Sequence, residues 1–405
     1  MKERNHERMY FFELSNLRVF VIVLSFHSRH FRHFHSMGIF TMPGPCRRHI
    51  ATLWAMIDGV KAGAVQIKFE VFVVRFALAM LFLLGPQTGV SAAQEFKAIP
   101  ISLSDQVDIG GTYAGIRLLG SLRLPRTEIN GLKLCGLSGL AWDEDAELLY
   151  AISDKGDLFH MKPEHDDQGY LRGVRLVAAH PLLDESGTRL RHPYNDAEGL
   201  AILKSHNGIP GDANLLVSFE LRPRVILYDS TGRWLGEEKI PALLKEVRNY
   251  LDTNKALEAV TVDSRWGVLV GTERPLRNEP AGRVRIFTGD GRSWLYPLSD
   301  APRSSLVALE ALPGGGLLTL ERAFVAPMLP LIISLRRTEP LLPGMEAPLK
   351  VSDVAVLDSS QGWHLDNFEG LTHYRSRRYF MVSDDNCFSL QATLLVQFEL
   401  LPFSP

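Results

Sequence analysis

The stretch DNFEGLTHYRSRRYFMVSDDN, from Asp366 to Asn386, shows the unit from which most of this chain is built. It opens with an acid before Gly and Leu (Glu369), passes through a polar turn, and continues as an apolar segment that leads to a second acid, Asp384. Two apolar segments joined by a polar turn are typical of a β-hairpin. The stretch therefore predicts a hairpin that carries a carboxylate near each end.

The same pattern occurs four more times upstream, so the chain contains five copies of a repeat of about 60 residues. The opening positions are Ser138, Glu198, Glu258, Glu310 and Glu369. The closing positions are Asp154, Glu220, Glu273, Glu321 and Asp384. Strand-rich repeats of this length are typical of propellers, because no single unit can bury both of its faces alone. We therefore expect an all-β protein with a single β-propeller-like domain.

The length of the repeat region predicts the number of blades. Without its N-terminal region the chain has about 310 residues, which suits six blades of roughly 50 residues each. Five copies are visible, so the sixth blade is expected to combine the two ends of the chain, with residues 113–124 pairing with residues 394–400. Closing the ring through these terminal strands would remove the exposed sheet edges.

The N-terminal region has the features of an export signal. Arg75, an apolar core at 76–84 and small residues before Ala93 follow the order of a secretory signal peptide. We predict a leader at 1–68 that reflects a misassigned start, a signal peptide at 69–92 and the propeller domain at 93–405. A retained anchor is the alternative, but nine apolar residues are far fewer than the ~20 that span a bilayer. The prediction is a periplasmic or secreted monomer without a membrane span after processing.

Composition excludes some classes of partner and leaves one redox question open. The formal net charge is -2 and no basic excess is present, which argues against nucleic-acid binding. Cys135 and Cys387 lie in the first and last copies, which a closed ring would make neighbours. A disulfide is one outcome in an oxidising compartment, whereas two buried free thiols are the more common outcome for such a pair.

The recurring acids predict a metal site. Acids at equivalent positions of successive blades should meet around one axis, where they repel each other unless a cation neutralises them. Clusters of oxygen ligands suit Ca²⁺, so calcium is the expected cofactor. The candidate ligands are Asp154, Asp196, Glu198, Glu220, Glu273, Glu310, Glu321, Asp366, Glu369 and Asp384.

Basic residues follow most of the closing acids. Guanidinium groups bind phosphate and carboxylate in a bidentate manner, which predicts a small anionic ester as substrate. The alternative is that these residues form ion pairs between neighbouring blades and bind no ligand. The candidates are Lys155, Arg222, Arg224, Arg274 and Arg322.

Other catalytic signatures are weak. Ser138 lacks the G-x-S-x-G spacing of a nucleophile elbow, and no HExxH motif occurs. We therefore place the candidate catalytic function on Glu198, Glu258 and Glu369, one of which would activate water.

Several motifs resemble one known family. LSGLAWD with YAISDKG, NDAEGLA, LEAVT with GTERPL, LLTLERAF, DNFEGLT with VSDDN, and the terminal LLVQFEL are similar to the exported bacterial family labelled "esterase-like activity of phytase". The similarity runs from about Gly120 to the C-terminus, and departs from the family pattern at Cys387 and in the leader. This resemblance implies a propeller-like fold, export, and hydrolysis of phosphate or carboxylic esters, without fixing a catalytic residue.

Two functions remain open from the sequence. The first is a calcium-dependent hydrolase of phosphate or carboxylic esters with its site at the propeller axis. The second is a non-catalytic, calcium-stabilised binding module of the cell envelope.

Overall fold

A computed structural model divides the chain into two compact units, Met1–Val90 and Ser91–Pro405. In the first unit, the backbone forms a three-stranded antiparallel sheet of β1 (Glu7–Leu14), β2 (Leu17–Ser28) and β3 (Phe31–Thr41). In the second unit, the structure describes residues 96–252, 254–326, 328–344 and 347–402. The predicted signal peptide, residues 69–92, lies outside the described residues, as does most of the predicted leader beyond these three strands.

The second unit begins with short strands that precede the repeats. They are β4 (Ile99–Pro100), β5 (Thr112–Tyr113), β6 (Ile116–Arg123), β7 (Glu128–Ile129) and β8 (Leu132–Lys133). The last two pair as a hairpin, and the first two both pair with β6.

Four antiparallel sheets of four strands follow in chain order as blades one to four. Blade one consists of β9 (Leu137–Asp143), β10 (Leu148–Ser153), β11 (Asp157–His165) and β12 (Leu171–Pro181). Blade two consists of β13 (Ala197–Leu203), β14 (Asn214–Phe219), β15 (Arg224–Asp229) and β16 (Trp234–Glu238). Blade three consists of β17 (Leu257–Asp263), β18 (Gly267–Thr272), β19 (Arg283–Thr288) and β20 (Ser293–Pro297). Blade four consists of β21 (Ser304–Ala311), β22 (Leu317–Ala323), β23 (Ile332–Thr338) and β24 (Val351–Asp358).

Blade five uses strands from both ends of the unit. Its own strands are β25 (Asn367–His373), β26 (Arg378–Asp384) and β27 (Leu394–Leu400). Strand β27 pairs with β26 on one side and with β6 on the other. The expected pairing of residues 113–124 with residues 394–400 is thus present, but it completes the fifth blade.

The propeller has five blades, so the prediction of six is wrong. The fifth repeat contributes only three strands, and β6 supplies the fourth that the other blades take from their own repeat. The estimate of roughly 50 residues per blade was also too low for this chain. A repeat of about 60 residues accommodates five blades in the same length.

The first strand of each blade faces the axis of the ring. Strands β9, β13, β17, β21 and β25 contact one another in this order, and β25 returns to contact β9. All seven residues of β9 are buried, which explains why its sequence lacks a regular alternation of apolar and exposed polar residues. Five apolar clusters fill the spaces between adjacent blades; Tyr150 and Ile152, for example, pack with Leu215 and Val217 between blades one and two. The all-β propeller class is confirmed.

Helical structure is sparse in the described residues. A short helix, α1 (Ala242–Lys245), and a 3-10 turn (Val247–Asn249) precede blade three, and a second 3-10 turn (Ser359–Gln361) precedes blade five. Within the described part of the chain, no helix has the length and apolar character that crossing a membrane requires.

A disulfide joins the first and last blades. Cys135, just before β9, bonds to Cys387 in the loop after β26, with 5.0 Å between the two Cα atoms. The expectation of two free thiols is therefore wrong. The ring brings together residues 252 positions apart in sequence, and the loop geometry then places the two sulfur atoms within bonding distance.

Candidate functional site

Each innermost strand contains a β-bulge at the same height. Strand pairing is interrupted between Ala197 and Leu200, between Leu257 and Ala259, and between Phe368 and Gly370. A bulge re-aims the side chain of the extra residue, and these bulges contain Glu198, Glu258 and Glu369. Blade one has Ser138 at this position and blade four has Val307. The repeated Glu of the sequence is therefore a bulge residue.

Small residues after the bulge let the innermost strands approach one another. A Cβ atom on Gly199 would lie 2.5 Å from the carbonyl oxygen of Glu258 on the next blade, closer than any side chain allows. The Ser218 hydroxyl accepts a hydrogen bond from the backbone N–H of Gly199 and donates one to the same carbonyl. The Glu-Gly pair thus sets how closely the carboxylates of adjacent blades are placed.

Blade four departs from the repeat, and the sequence-based alignment of this blade is wrong. Val307 occupies the bulge, whereas Glu310 lies three residues further along β21 and lines a different cavity. Glu321 pairs with Leu306 and is fully buried, where it accepts hydrogen bonds from Tyr296 and Ser304 and pairs with Arg336. The closing position of this blade is instead occupied by Arg322.

An acidic cavity of about 780 Å³ opens at the end of the ring where these bulges lie. Among the described residues, nine carboxyl side chains line it together with two cationic side chains, Lys255 and Arg322. The nine are Asp154, Asp196, Glu198, Glu220, Glu258, Glu273, Asp366, Glu369 and Asp384. Of the ten predicted metal ligands, the structure brings together all except Glu310 and Glu321, and all three predicted catalytic residues are present.

Six of these carboxylates form one continuous cluster. Oxygen atoms of Glu198, Glu258 and Glu369 lie within 4.8 Å of one another. Two further triplets overlap with this one at the same distance: Asp196 with Glu198 and Glu220, and Glu220 with Glu258 and Glu273. Such spacing permits one cation to contact several carboxylates at once.

The centre of the cluster has no hydrogen-bond donors. Among the described residues, no hydrogen bond reaches the carboxylates of Glu198 or Glu258, although these residues are only 9% and 5% exposed. One oxygen of Asp154 and one oxygen of Asp196 are also buried without a partner. Buried polar oxygens without donors are costly, so the arrangement favours protons or a cation at this position.

The outer carboxylates are partly satisfied by the protein. Glu220 accepts a hydrogen bond of 2.9 Å from the backbone N–H of Ala256, and Asp384 accepts one of 2.6 Å from that of Asn386. Asp366 accepts hydrogen bonds from Gln391 and from the backbone of Ala392, so it holds the loop after β26.

Arg322 ties three blades together. Its guanidinium donates to Glu369 and Asn367 of blade five and lies 3.2 Å from a carboxylate oxygen of Glu273, which follows β18 in blade three. Burial lowers the pKa of Arg322, but the charges of the neighbouring carboxylates outweigh this effect, so the pKa is raised above its usual value. Arg322 therefore forms ion pairs between blades, as the alternative interpretation of the basic residues expects. It also lines the cavity.

The other predicted basic residues lie outside the cavity lining. Arg222 and Arg224 pack over the ring of Tyr194, and Arg274 donates to the carbonyl oxygen of Ser304. Lys155 pairs with Asp154 at 2.6 Å, and lines a neighbouring pocket beside the disulfide. Of the five candidate substrate-binding residues, Arg322 alone lines the acidic cavity.

Lys255 was missed by the sequence analysis. Its Nζ lies 3.1 and 3.0 Å from the two carboxylate oxygens of Glu273, at the edge of the cavity. The signal for it is positional: Lys255 stands three residues before Glu258, where the fifth repeat has Asp366 before Glu369.

Burial and crowding weaken the acidity of the cluster. Desolvation, followed by the charges of neighbouring carboxylates, raises the pKa of Glu198 and of Glu258 well above the usual range. The same causes raise the pKa of Glu220 to about 8 and that of Asp384 to about 8. Desolvation also raises the pKa of Glu369, against the opposing effect of Arg322. With a pKa of about 8, Glu220 and Asp384 are mostly protonated at neutral pH unless a cation replaces the proton.

A second cavity of about 680 Å³ lies at the other end of the innermost strands. Glu310, His373 and Arg375 line it, and desolvation raises the pKa of Glu310 to about 8. Between the two cavities the axis narrows to a throat of about 10 Å³ lined by leucines such as Leu200, Leu309 and Leu371. Ser138 is buried at this throat, where the hydroxyl has only a 3.5 Å contact with the carbonyl oxygen of Gly136.

The fold and the site define a class: a five-bladed β-propeller with a carboxylate-rich axial cavity. A family model described as "Esterase-like activity of phytase" matches residues 133–387. The chain belongs to this phytase-like family, since the match covers more than half of its length.

Two solved structures are similar to this chain at low sequence identity. The β-propeller domain of Cps50 (Swd1) from Myceliophteria thermophila is 13% identical, with a TM-score of 0.34, and the match covers 74% of this chain and 99% of that chain. A gluconolactonase from Xanthomonas campestris is 14% identical, with a TM-score of 0.34, and the match covers 75% of this chain and 97% of that chain. No curated protein matches the sequence.

Proposed function

We propose that this protein is an exported, calcium-dependent hydrolase of phosphate or carboxylic esters whose site is the acidic cavity. The observation that carries the proposal is the pair Glu198 and Glu258, two buried carboxylates without hydrogen-bond donors in the centre of a six-carboxylate cluster. Membership of the phytase-like family supports ester hydrolysis as the reaction.

The donor set fits calcium. The cluster offers only oxygen ligands, which is the preference of Ca²⁺, and lacks the His and Cys ligands that favour zinc. Glu198 and Glu258 would hold the ion, with Asp196 and Glu220 adjacent. When bound, the ion would polarise a phosphoryl or carbonyl oxygen of the ester.

The protein groups would supply binding and proton transfer. Lys255, about one third exposed at the cavity edge, is placed to attract the anionic group of the substrate. Glu369 is the proposed general base, because burial raises its proton affinity while Arg322 limits that rise. Arg322 would hold Glu369 in place through its hydrogen bond to the carboxylate.

Export is supported by two independent features. The order of residues at 69–92 follows a secretory signal, and the Cys135–Cys387 disulfide is typical of proteins in oxidising compartments. A periplasmic or secreted location is therefore part of the proposal.

Hydrolysis of p-nitrophenyl phosphate, p-nitrophenyl acetate and phytate by the purified protein, in excess Ca²⁺ and in chelator, tests the proposal. We expect activity on at least one ester that chelator abolishes. Glu369→Gln and Glu198→Gln should each lower turnover by about 10² to 10⁴-fold, as for a lost base or metal ligand. Glu310→Gln is the matched control, since Glu310 also has a raised pKa but lines the other cavity.

Ser138→Ala distinguishes this site from a serine esterase. Ser138 stands at the bulge position but is buried in the throat, so most of the activity should remain. An inactive Ser138→Ala together with active Glu369→Gln and Glu198→Gln would overturn the proposal.

A calcium-stabilised binding module without catalysis is the second candidate. The observation that favours it is Arg322, whose ion pairs join the acids of blades three and five as a structural tie. Under this function Ca²⁺ would raise the melting temperature while no ester is hydrolysed in either solution.

A further inference from the structure

The mouth of the acidic cavity is apolar. Two loops contribute to it: residues 324–331, which join β22 to β23, and residues 385–393, which join β26 to β27. The side chains of Phe324, Met328, Phe388 and Leu390 line the same cavity as the carboxylates. Met328 is 100% exposed and Leu390 is 84% exposed, so neither is placed there by core packing. We refer to these four side chains as the apolar lip.

Exposed apolar side chains are concentrated at this lip. Of fourteen exposed large hydrophobic residues in the described part of the chain, six lie on these two loops, including Val325 and Leu329. Single exposed apolar residues are normal on a protein surface, whereas a group of them beside a polar cavity is a feature of ligand-binding sites.

The loop at 385–393 is attached to the rest of the propeller at several points, which places it at the cavity. The disulfide anchors Cys387, and the Asp385 carboxylate accepts hydrogen bonds from Arg126 at 2.7 Å and from the backbone of Gly136 at 2.9 Å. Asp366, which lines the cavity, accepts the backbone N–H of Ala392 at 2.7 Å. The carboxylates at the bottom of the cavity, which we call the acidic floor, and the apolar lip are therefore parts of one site.

We infer that the substrate is an amphiphilic ester, with its ester group at the acidic floor and an aryl or alkyl group against the apolar lip. The inference rests on the proposed function for the ester group and deepens it by naming the class of substrate. A polyphosphorylated inositol is charged on all sides and has no apolar part to cover the lip. An ester with an acyl chain or an aromatic ring matches both surfaces.

Binding of alkylphosphonates tests the ligand class without requiring turnover. Methylphosphonate and octylphosphonate share an anionic head that cannot be hydrolysed, and each methylene that reaches the lip should tighten binding by about fourfold. By titration calorimetry in excess Ca²⁺, octylphosphonate should bind the protein at least about tenfold more tightly than methylphosphonate. Equal affinity for the two would overturn the inference.

Variants then locate the preference at the lip. Met328→Ser and Leu390→Ser should each reduce the ratio of octylphosphonate to methylphosphonate affinity by about two- to fivefold, because each removes apolar surface that the octyl chain would contact. Both variants should fold, since these side chains are exposed. Ile209→Ser is the matched control, since Ile209 is 58% exposed on a loop outside the cavity lining and should leave the ratio unchanged. A ratio that falls equally in all three variants would overturn the assignment to the lip.

Hydrolysis of p-nitrophenyl acetate, butyrate and octanoate separates this inference from the proposed function. A rate that rises with chain length, and exceeds the rate on phytate, supports the inference. If no ester is hydrolysed but octylphosphonate is preferred, the hydrolase proposal fails and the ligand class stands. If esters are hydrolysed without chain-length preference, the inference fails and the hydrolase stands. Binding to phosphatidylcholine vesicles without any preference for monomeric octylphosphonate would overturn it in favour of a membrane-binding surface.

Discussion

Replacing Glu198 by Gln should change the stability of the propeller in opposite directions with and without calcium. Carboxylate oxygens of Glu198 and Glu258 lie within 4.8 Å of each other, and none of the residues that the structure describes donates a hydrogen bond to them. At an effective dielectric constant near 20, this separation corresponds to a repulsion of about 3 kcal/mol when both groups are ionised. In chelator the substitution removes that repulsion, so the variant should be the more stable protein, by roughly 6 °C in melting temperature.

With calcium the order should reverse. Binding of an ion to the native state at a hundredfold excess over its Kd adds about 2.7 kcal/mol, and Glu198→Gln loses a ligand and much of that gain. Melting curves followed by circular dichroism test both expectations, and the difference between variant and wild type in chelator should grow as the pH rises through about 8, the pKa of Glu220 and Asp384, because more of the cluster is then ionised.

Two results would refute this reasoning. Identical wild-type melting curves in excess Ca²⁺ and in chelator would exclude a calcium site of useful affinity. Destabilisation by Glu198→Gln in both solutions would contradict the repulsion argument, because a carboxylate that only repels its neighbours cannot stabilise the fold. Glu310→Gln, in the other cavity, should shift the melting temperature by the same amount in both solutions.

Three other outcomes are expected. Because desolvation raises the pKa of Glu310 from the usual 4.5 to about 8, the folded state binds its proton more tightly than the unfolded state does. The contribution of Glu310 to the free energy of unfolding is complete below pH 4.5 and is lost as pH rises through about 8. Denaturant titrations at several pH values should therefore show that Glu310→Gln removes about 2–4 kcal/mol of this pH dependence. Parallel pH profiles for variant and wild type would contradict the burial of an ionisable group there. Removing the disulfide by replacing Cys135 and Cys387 with Ser should lower the free energy of unfolding by roughly 2–5 kcal/mol, and an unchanged value would argue that the bond is absent. N-terminal sequencing of protein recovered from periplasm or medium should begin near Ala93 or Gln94, whereas an intact Met1 terminus in the cytoplasm would contradict export.

The sequence was informative where a local pattern decides the structure. Alternating turns and apolar segments predicted the hairpins, and the repeated Glu before Gly marked positions that the structure shows to be bulges at the axis. The alignment of blade four with the other repeats was wrong because Leu-Glu-Ala occurs both at 257–259 and at 309–311. The two tripeptides look equivalent in the sequence, but they lie at different positions relative to the bulge. This difference in register is visible only in the pairing of the strands.

Features that depend on long-range geometry could not be predicted in the same way. The disulfide requires the loop after β26 to approach Cys135 on the adjacent first blade, and the sequence separation of 252 residues does not specify that distance. Lys255 lies just before β17 and Arg322 lies within β22, and both line the cavity, whereas Arg222 and Arg274 also follow closing acids in the sequence but lie outside the cavity lining. The number of blades depends on which sheet β6 joins, and that pairing is set by tertiary structure.

The pairing of β6 with β27 in blade five has a consequence for when the ring can form. The partner of β6, Leu394–Leu400, is among the last segments to be synthesised, so neither strand can enter its sheet until nearly the whole chain is available. Pairing across such a sequence distance is slow because the loop-closure entropy is lost before the contacts form. A chain that must cross a membrane unfolded would thereby keep its ring open during synthesis. Loss of the last strand would leave both β26 and β6 with unpaired edges, which are templates for aggregation.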